Sequence, residues 1–355
     1  MTRPETPFHQ VLIVGGGQAG LATAFYLLRA GIDVLVLDDQ EAPGGAWRHV
    51  WPSMTLFSTA EFSNLPGIPM PSYDGFPPAS HVIDYLALYE DRYSIPVERP
   101  VHVDKVEFTD TELHDELGDT SSTVDSAGGR FLVHAGGRSW SADHVVGATG
   151  TWSAPFVPHI RGSFGGKQWH SANYPGEGPF RGARVAVVGG ANSAAQIAAE
   201  LTGVADVTWY TRREPRWMPD DVDGRVLFQR NRERMLAVLR GEDDPGADSG
   251  LGDIVMLPEV LAARDEGRLR ATPMFSSLDE LDDASIDHLI WCTGFRPALG
   301  PVRCLLDGRE PAVPGLHLVG YGDWAGPGSA TITGLGPHAK ATARAIAETY
   351  GKKVR

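Results

Sequence analysis

The sequence predicts an α/β fold built from two units of the same kind, and three features carry that prediction. The stretch "VLIVGGGQAG" at residues 11–20 is matched by "VAVVGGANSA" at residues 185–194, each an apolar β run that breaks into a turn of small residues. Behind each turn the apolar positions change to helical spacing, at Leu21, Phe25 and Leu28 in the first copy and at Ala194, Ile197, Ala198 and Leu201 in the second. The third feature is length, since 355 residues exceed what a single hydrophobic core usually organises.

Taken in order, residues 11–38 form a β-α-β unit: strand, glycine turn, helix, a stop at Gly31 and the strand "DVLVLD". Residues 57–78 are rich in Pro and Ser and read as loop; "VIDYLALYEDRY" at 82–93 reads as helix. Strand-like runs at 101–108 and 130–134 flank "TDTELHDELGDTSSTVDSAGG", an acidic Ser- and Gly-rich separator expected to be a surface hairpin loop. "DHVVGATG" at 143–150 reads as a buried strand running into a tight turn. A second β-α-β unit covers 184–210 with its stop at Gly203, and "EPRWMPDDVDGRVLF" and "LRGEDDPGADSGLGD" follow as connections. Buried-strand patterns return in "HLIWCTG" (288–294) and "LHLVGYGD" (316–323), before a C-terminal helix over 337–350. There is no short-period repeat, which excludes solenoids and propellers. This order implies one domain in two pieces, residues 1–155 and 283–355, with a second domain of residues 156–282 inserted between them.

Composition narrows the function. The 31 basic and 45 acidic residues leave a formal charge of −14, which opposes binding to nucleic acid or to an anionic membrane surface. Two cysteines, Cys292 and Cys304, make neither a disulfide framework nor a zinc site, and the twelve histidines show no ligand spacing, so no metal is expected. No G-x-S-x-G elbow occurs, which removes serine hydrolase chemistry. The N-terminal "MTRPETPFHQ" has no apolar signal core, and no apolar run approaches the ~20 residues of a membrane helix. A soluble, cytoplasmic protein is expected.

The turns carry the chemistry. In the first, Gly15, Gly17 and Gly20 give G-x-G-x-x-G between a strand and a helix: a tight turn, a close approach of backbone to pyrophosphate, and close packing of helix on strand. The helix N-terminus adds amide donors and partial positive charge. Asp38, ending the next strand, is suited to accept hydrogen bonds from ribose hydroxyls and to repel a 2′-phosphate. In the second copy Gly189 keeps the turn, while Ala191 and Ala194 stand where the first has Gly17 and Gly20. Asn192 and Ser193 open its helix, Ser193 offering a hydroxyl to the pyrophosphate. Arg212 and Arg213 replace the acid at the end of the second strand, and a guanidinium there pairs with a 2′-phosphate, so this copy favours NADPH over NADH. Two solvated surface arginines are the plainer reading.

Between the turns, Phe164, Gly166, His170 and Tyr174 spell F-x-G-x-x-x-H-x-x-x-Y. With "PGGAW" (43–47), "GATG" (147–150), "CTGFRP" (292–297) and "LVGYGD" (318–323), this resembles the flavin-containing monooxygenase family. In "GGAWRHVWPSMTLFS" and "GYGDWAGPGSATITG" the chain is most similar to the short bacterial members found in arsenic-resistance gene clusters. The resemblance implies two dinucleotide-binding Rossmann-like domains, a two-segment FAD domain with an NADPH domain inserted. Gly15, Gly17, Gly20 and Asp38 would hold the ADP half of FAD, Gly45 and Trp47 would border the flavin, Asp323 would hydrogen-bond the ribityl or pyrophosphate region, and Gly150 belongs to the same FAD set. Gly189, Asn192, Ser193, Arg212, Arg213 and the linking residue His170 form the NADPH set. Trp47, Phe57 and Ser58 are the candidates near the flavin's reactive face, where larger members carry an Asn in place of Phe57, Ser58 or Thr59; Trp51, Trp217 and Trp324 are further substrate-side candidates.

The activity implied is an NADPH-dependent monooxygenation in which a C4a-hydroperoxyflavin oxygenates a small soft nucleophile or carbonyl compound, with O2 as co-substrate. An NADPH-dependent ferredoxin- or quinone-type reductase stays open, without a dithiol because Cys292 begins no C-x-x-C. A non-catalytic FAD/NADPH sensor and a homodimer stay open too.

Overall fold

The computed structural model describes residues 6–109, 130–220, 222, 229, 233–234, 236–237, 240–243, 253–326 and 328–354. Most of the expected hairpin loop (110–129) and much of both connections after residue 220 lie outside the described residues.

A seven-stranded sheet organises the first domain. Its parallel part runs β3 (Val97–Glu98), β2 (Val34–Leu37), β1 (Phe8–Val14), β6 (Arg138–Gly147), with the short strand Leu316–Leu318 pairing the C-terminal half of β6. The N-terminal half of β6 joins an antiparallel meander with β5 (Arg130–Ala135) and β4 (Lys105–Thr109). Val11, Leu12, Ile13 and Val14 are all buried because β1 is covered on both faces. Val11 and Ile13 pack beneath α1 (Gln18–Arg29), α2 (Ala79–Arg92) and α6 (Ile332–Thr349), whereas Leu12 and Val14 face the meander and Leu299, Val302 and Leu305. The C-terminal helix begins earlier than its expected start at 337: Thr331 caps it by accepting from the Gly334 N–H at 3.0 Å, and Pro337 sits inside.

The second domain is an all-parallel sheet in the order β10 (Ala271–Pro273), β9 (Asp206–Thr211), β8 (Arg184–Val188), β11 (His288–Trp291), β7 (Lys167–His170). Helices α3 (Asn192–Leu201) and α4 (Pro258–Asp265) cover one face; α5 (Asp279–Asp283) lies over the other. The expected return to the first domain at residue 283 is therefore corrected: β11 pairs with β7 and β8, and the crossing comes after it. A continuous apolar run such as "HLIW" suits a central strand of either sheet, and nothing local names its partner.

The crossings resemble each other as much as the turns do. Ala148, Thr149 and Gly150 follow β6; Cys292, Thr293 and Gly294 follow β11. The two linkers then pair with one another, through Phe156 N to Gly294 O (2.9 Å), Arg296 N to Ala154 O (2.8 Å) and Ala298 N to Gly150 O (2.9 Å). Two antiparallel linkers tied by main-chain bonds restrict how freely one domain turns on the other.

Candidate active site

The first turn is packed so closely that two of its glycines, Gly15 and Gly20, are obligatory. Gly15 has φ +113°, and a β-carbon there would lie 2.4 Å from the Ala148 carbonyl oxygen. One on Gly20 would lie 2.0 Å from the Gly15 carbonyl oxygen, so α1 sits directly against the turn. Gly17, by contrast, has no atom nearer than 4.0 Å to such a carbon; its bare backbone borders open space. It is also the N-cap of α1, and no side chain caps that helix. Amide donors without an internal acceptor, beside an unobstructed surface, suit a pyrophosphate.

A cavity of about 400 Å³ starts from this turn, within the size range of ligand pockets. Leu37, Asp38, Asp39, Gln40, Val101, His102 and Val103 line one end; Gly45, Trp47, His49 and residues 149–153 line the other. Among the described residues no Lys or Arg lines it. Asp38 is buried, and burial pushes its carboxyl pKa up, opposed by Arg99 and by the Gly16 N–H. Arg99 Nε donates to Asp38 Oδ2 at 2.7 Å, which leaves Oδ1 without a hydrogen bond from the described residues. Towards the other end Gly45 (φ +52°) lies against Gly17, where a β-carbon would come within 2.8 Å of the Gly17 Cα. Trp47 Nε1 donates to Gln18 Oε1 at 3.0 Å, and Gln18 Nε2 donates to Ala330 O at 2.7 Å, so one side chain of α1 fixes both walls. His49 stacks on Trp152 at 5.4 Å, and Gly150 (φ +64°) starts the linker carrying Trp152. Asp323 lies in the short helix Gly322–Trp324, and its side chain lies outside what is described. The row of bare glycine surface, uncapped amides and a carboxylate with a spare oxygen fits the ADP portion of FAD.

The second turn keeps the logic with looser packing. Gly189 has φ +149°, and a β-carbon there would meet the Cys292 carbonyl oxygen at 2.4 Å, the counterpart of Gly15 on Ala148. Ala191 caps α3 with no side-chain bond to the helix. The Asn192 amide is engaged internally, donating to Asp253 O at 3.1 Å and accepting from Val255 N at 2.8 Å; Ser193 is half-buried in the first turn. Arg212 and Arg213 directly follow β9, are exposed, and form no ion pair with a described residue.

Six further candidates lie away from the cavity lining. His170 is buried at the linkers: Nδ1 accepts from the Ala172 N–H at 3.0 Å, so Nε2 carries the proton and donates to Gly294 O at 3.1 Å. Burial lowers its pKa and keeps it neutral, and both ring nitrogens are engaged by main chain. Phe57 packs with Met218 and Val255 of the second domain, and Ser58 is buried in a hydrogen bond to Ser63 (2.8 Å). Trp51 and Trp217 belong to the second domain's core, and Trp324 packs beside the first-domain meander. Sequence reasoning missed Gln18, His49, Arg99 and Trp152. Only Gln18 carried a usable signal, as the polar residue inside the first glycine turn.

No group of His, Cys, Asp and Glu among the described residues is arranged to hold a metal, and no described helix is long and apolar enough to cross a membrane. The family described as pyridine nucleotide-disulphide oxidoreductase matches residues 12–240. A solved flavin-containing monooxygenase from Stenotrophomonas maltophilia is 40% identical, with a TM-score of 0.79 and coverage of 97% of this chain and 99% of that one. An uncharacterized CzcO-like oxidoreductase from Geobacillus kaustophilus is 27% identical over 93% of this chain and 96% of its own. A Baeyer-Villiger monooxygenase from Streptomyces coelicolor is 31% identical over 60% of this chain and 40% of its own. The chain belongs to the pyridine nucleotide-disulphide oxidoreductase family and, within it, to the flavin-containing monooxygenases.

Proposed function

We propose that the chain is an NADPH-using, FAD-dependent monooxygenase that places one oxygen atom of O2 on a small soft nucleophile or carbonyl compound, releasing the other as water with NADP⁺. When bound, FAD supplies the hydride acceptance and oxygen activation. The protein's part is to bind, orient and exclude water. The free amides at the start of α1, residues 17–19, would receive the pyrophosphate of FAD, Asp38 Oδ1 would accept from the ribose, and Asp323 would meet the ribityl or pyrophosphate region, with Gly150 in the cavity lining. Gly45 and Trp47 wall the flavin end, with the Trp47 indole held in one orientation by Gln18. Gly189, the start of α3 and Ser193 receive the second pyrophosphate. His170 acts from the linkers, holding the domains in register through Gly294.

One contrast carries the reading: where the first domain buries an acid at the end of its second strand, the second domain exposes two arginines without partners among the described residues. An acid repels the 2′-phosphate that a guanidinium binds. The test is oxygen uptake with NADPH against NADH, across a panel of thioethers, amines and cyclic ketones, with products quantified. Oxygenated product equal to NADPH consumed supports the proposal. If ferredoxin or a quinone is reduced rapidly while no panel compound is oxygenated, the enzyme is a reductase instead.

A further inference from the structure

Asp38 belongs to a buried group of three charges that extends away from the cavity. Its side chain is 4% exposed, that of Arg99 11% and that of Glu90 17%. Arg99 reaches Asp38 Oδ2 through Nε at 2.7 Å and clamps Glu90 with its other two nitrogens, at 2.7 and 2.8 Å. Three elements contribute: Asp38 follows β2, Arg99 follows β3, and Glu90 lies in the last turn of α2. The main chain fixes their register, since Asp38 N donates to Glu98 O at 3.1 Å and Val101 N to Asp38 O at 2.7 Å. The guanidinium is thus held from behind and aimed at one carboxylate oxygen.

That geometry does two things for the site. It fixes the carboxylate plane with Oδ2 turned to Arg99 and Gly16, where a β-carbon on Gly16 would meet Oδ2 at 2.6 Å, so that Oδ1 is the oxygen left for a ligand. It also keeps a desolvated carboxylate charged, because removing a paired cation from a buried acid leaves an uncompensated charge that protonation relieves. The remaining charged groups nearby are Asp39, with His102 at 3.8 Å, and Glu98, paired with Arg138. None of them replaces Arg99 at Asp38.

We propose that Arg99, braced by Glu90, is a positioning residue for FAD: it acts through Asp38, holding that carboxylate ionised and aimed at the ribose of the AMP half. The proposal rests on the assignment of Asp38 to FAD. It distinguishes Arg99 from a structural ion pair, which would stabilise the fold without being coupled to the cofactor.

The test is dissociation of FAD from holoenzyme on serial dilution, read by the fluorescence of released flavin, over about pH 6 to about pH 9. Asp38→Asn should weaken FAD by about tenfold or more, independently of pH. Arg99→Met should weaken it by about threefold at the alkaline end and approach the Asp38→Asn loss at the acid end, as Asp38 takes up a proton. Adding Arg99→Met to Asp38→Asn should change affinity less than about twofold. Arg99→Lys, which keeps a cation and guards against misfolding of the methionine variant, should bind FAD with a flat pH profile and at most about a threefold loss. Multiplying losses in the double variant, or a pH-independent loss in Arg99→Met, would overturn the inference about Arg99. Unchanged affinity in Asp38→Asn would instead overturn the placement of FAD on which it rests.

Discussion

At the first turn a β-carbon on Gly20 would sit 2.0 Å from the Gly15 carbonyl oxygen, whereas at the second turn Ala194 fills the same place and remains buried in the core. The strand ends differ in the same orderly way, with a buried Asp38 tied to Arg99 against exposed Arg212 and Arg213. Both turns share the feature that a positive φ and a carbonyl 2.4 Å from any β-carbon demand, namely Gly15 and Gly189. The comparison separates what the turn needs from what each nucleotide needs: the first glycine makes the bend, and the positions after it set how close the helix and the ligand come.

Substitutions break or sharpen this contrast in a graded way. The largest effect is expected from giving the first turn the second turn's residue: Gly20→Ala should cost about 3 kcal/mol or more in thermal or denaturant unfolding of the holoenzyme, and release FAD, because backbone must move. A loss under about 1 kcal/mol would show that the first turn is no tighter than the second.

Next comes acid stability. At the foot of the first domain His317 Nε2 lies 3.4 Å from His144 Nδ1, and burial with the neighbouring imidazole lowers the His317 pKa from 6.5 to about 4. The unfolded chain therefore binds the extra proton first. Stability present above pH 6.5 is lost as the pH falls towards about 4, on the order of 2 kcal/mol for a partly accessible group. His317→Phe should flatten that limb in denaturant melts, while the native protein releases flavin as the first domain opens. An unchanged acid limb would remove the pair from the account.

Arg212→Ala follows: KM for NADPH should rise about tenfold and KM for NADH less than about twofold, a difference of about 1 kcal/mol or more. Equal changes would make the arginines ordinary solvated charge. The smallest effect belongs to Ala194→Gly, about 1 kcal/mol of helix propensity and lost packing with little change in NADPH binding.

What the sequence disclosed is what local patterning encodes. Both β-α-β units were legible, because the change from a continuous apolar run to helical spacing lies within a dozen residues of each turn. The assignment of β11 was not, since its partners Lys167 and Val185 lie more than a hundred residues away and its apolar run suits either sheet. Asp38 was readable from its place after a strand; Arg99, 61 residues further on, had no pattern to announce it. The His170 motif was visible, yet its partners are a main-chain amide and a carbonyl, which carry no residue identity. Phe57 and Ser58 were placed by analogy with an Asn of larger relatives, and a loop that packs on the second domain's core gives that analogy no anchor.

The central claim is that two cradles hold two nucleotides so that one reduces the other, and anaerobic mixing of the purified protein with NADPH tests it most directly. The account predicts a yellow protein whose flavin absorbance bleaches within the mixing experiment, faster with low NADPH than with the same amount of NADH. A colourless protein that takes up no added FAD, or a bound flavin that neither nucleotide bleaches, would contradict it.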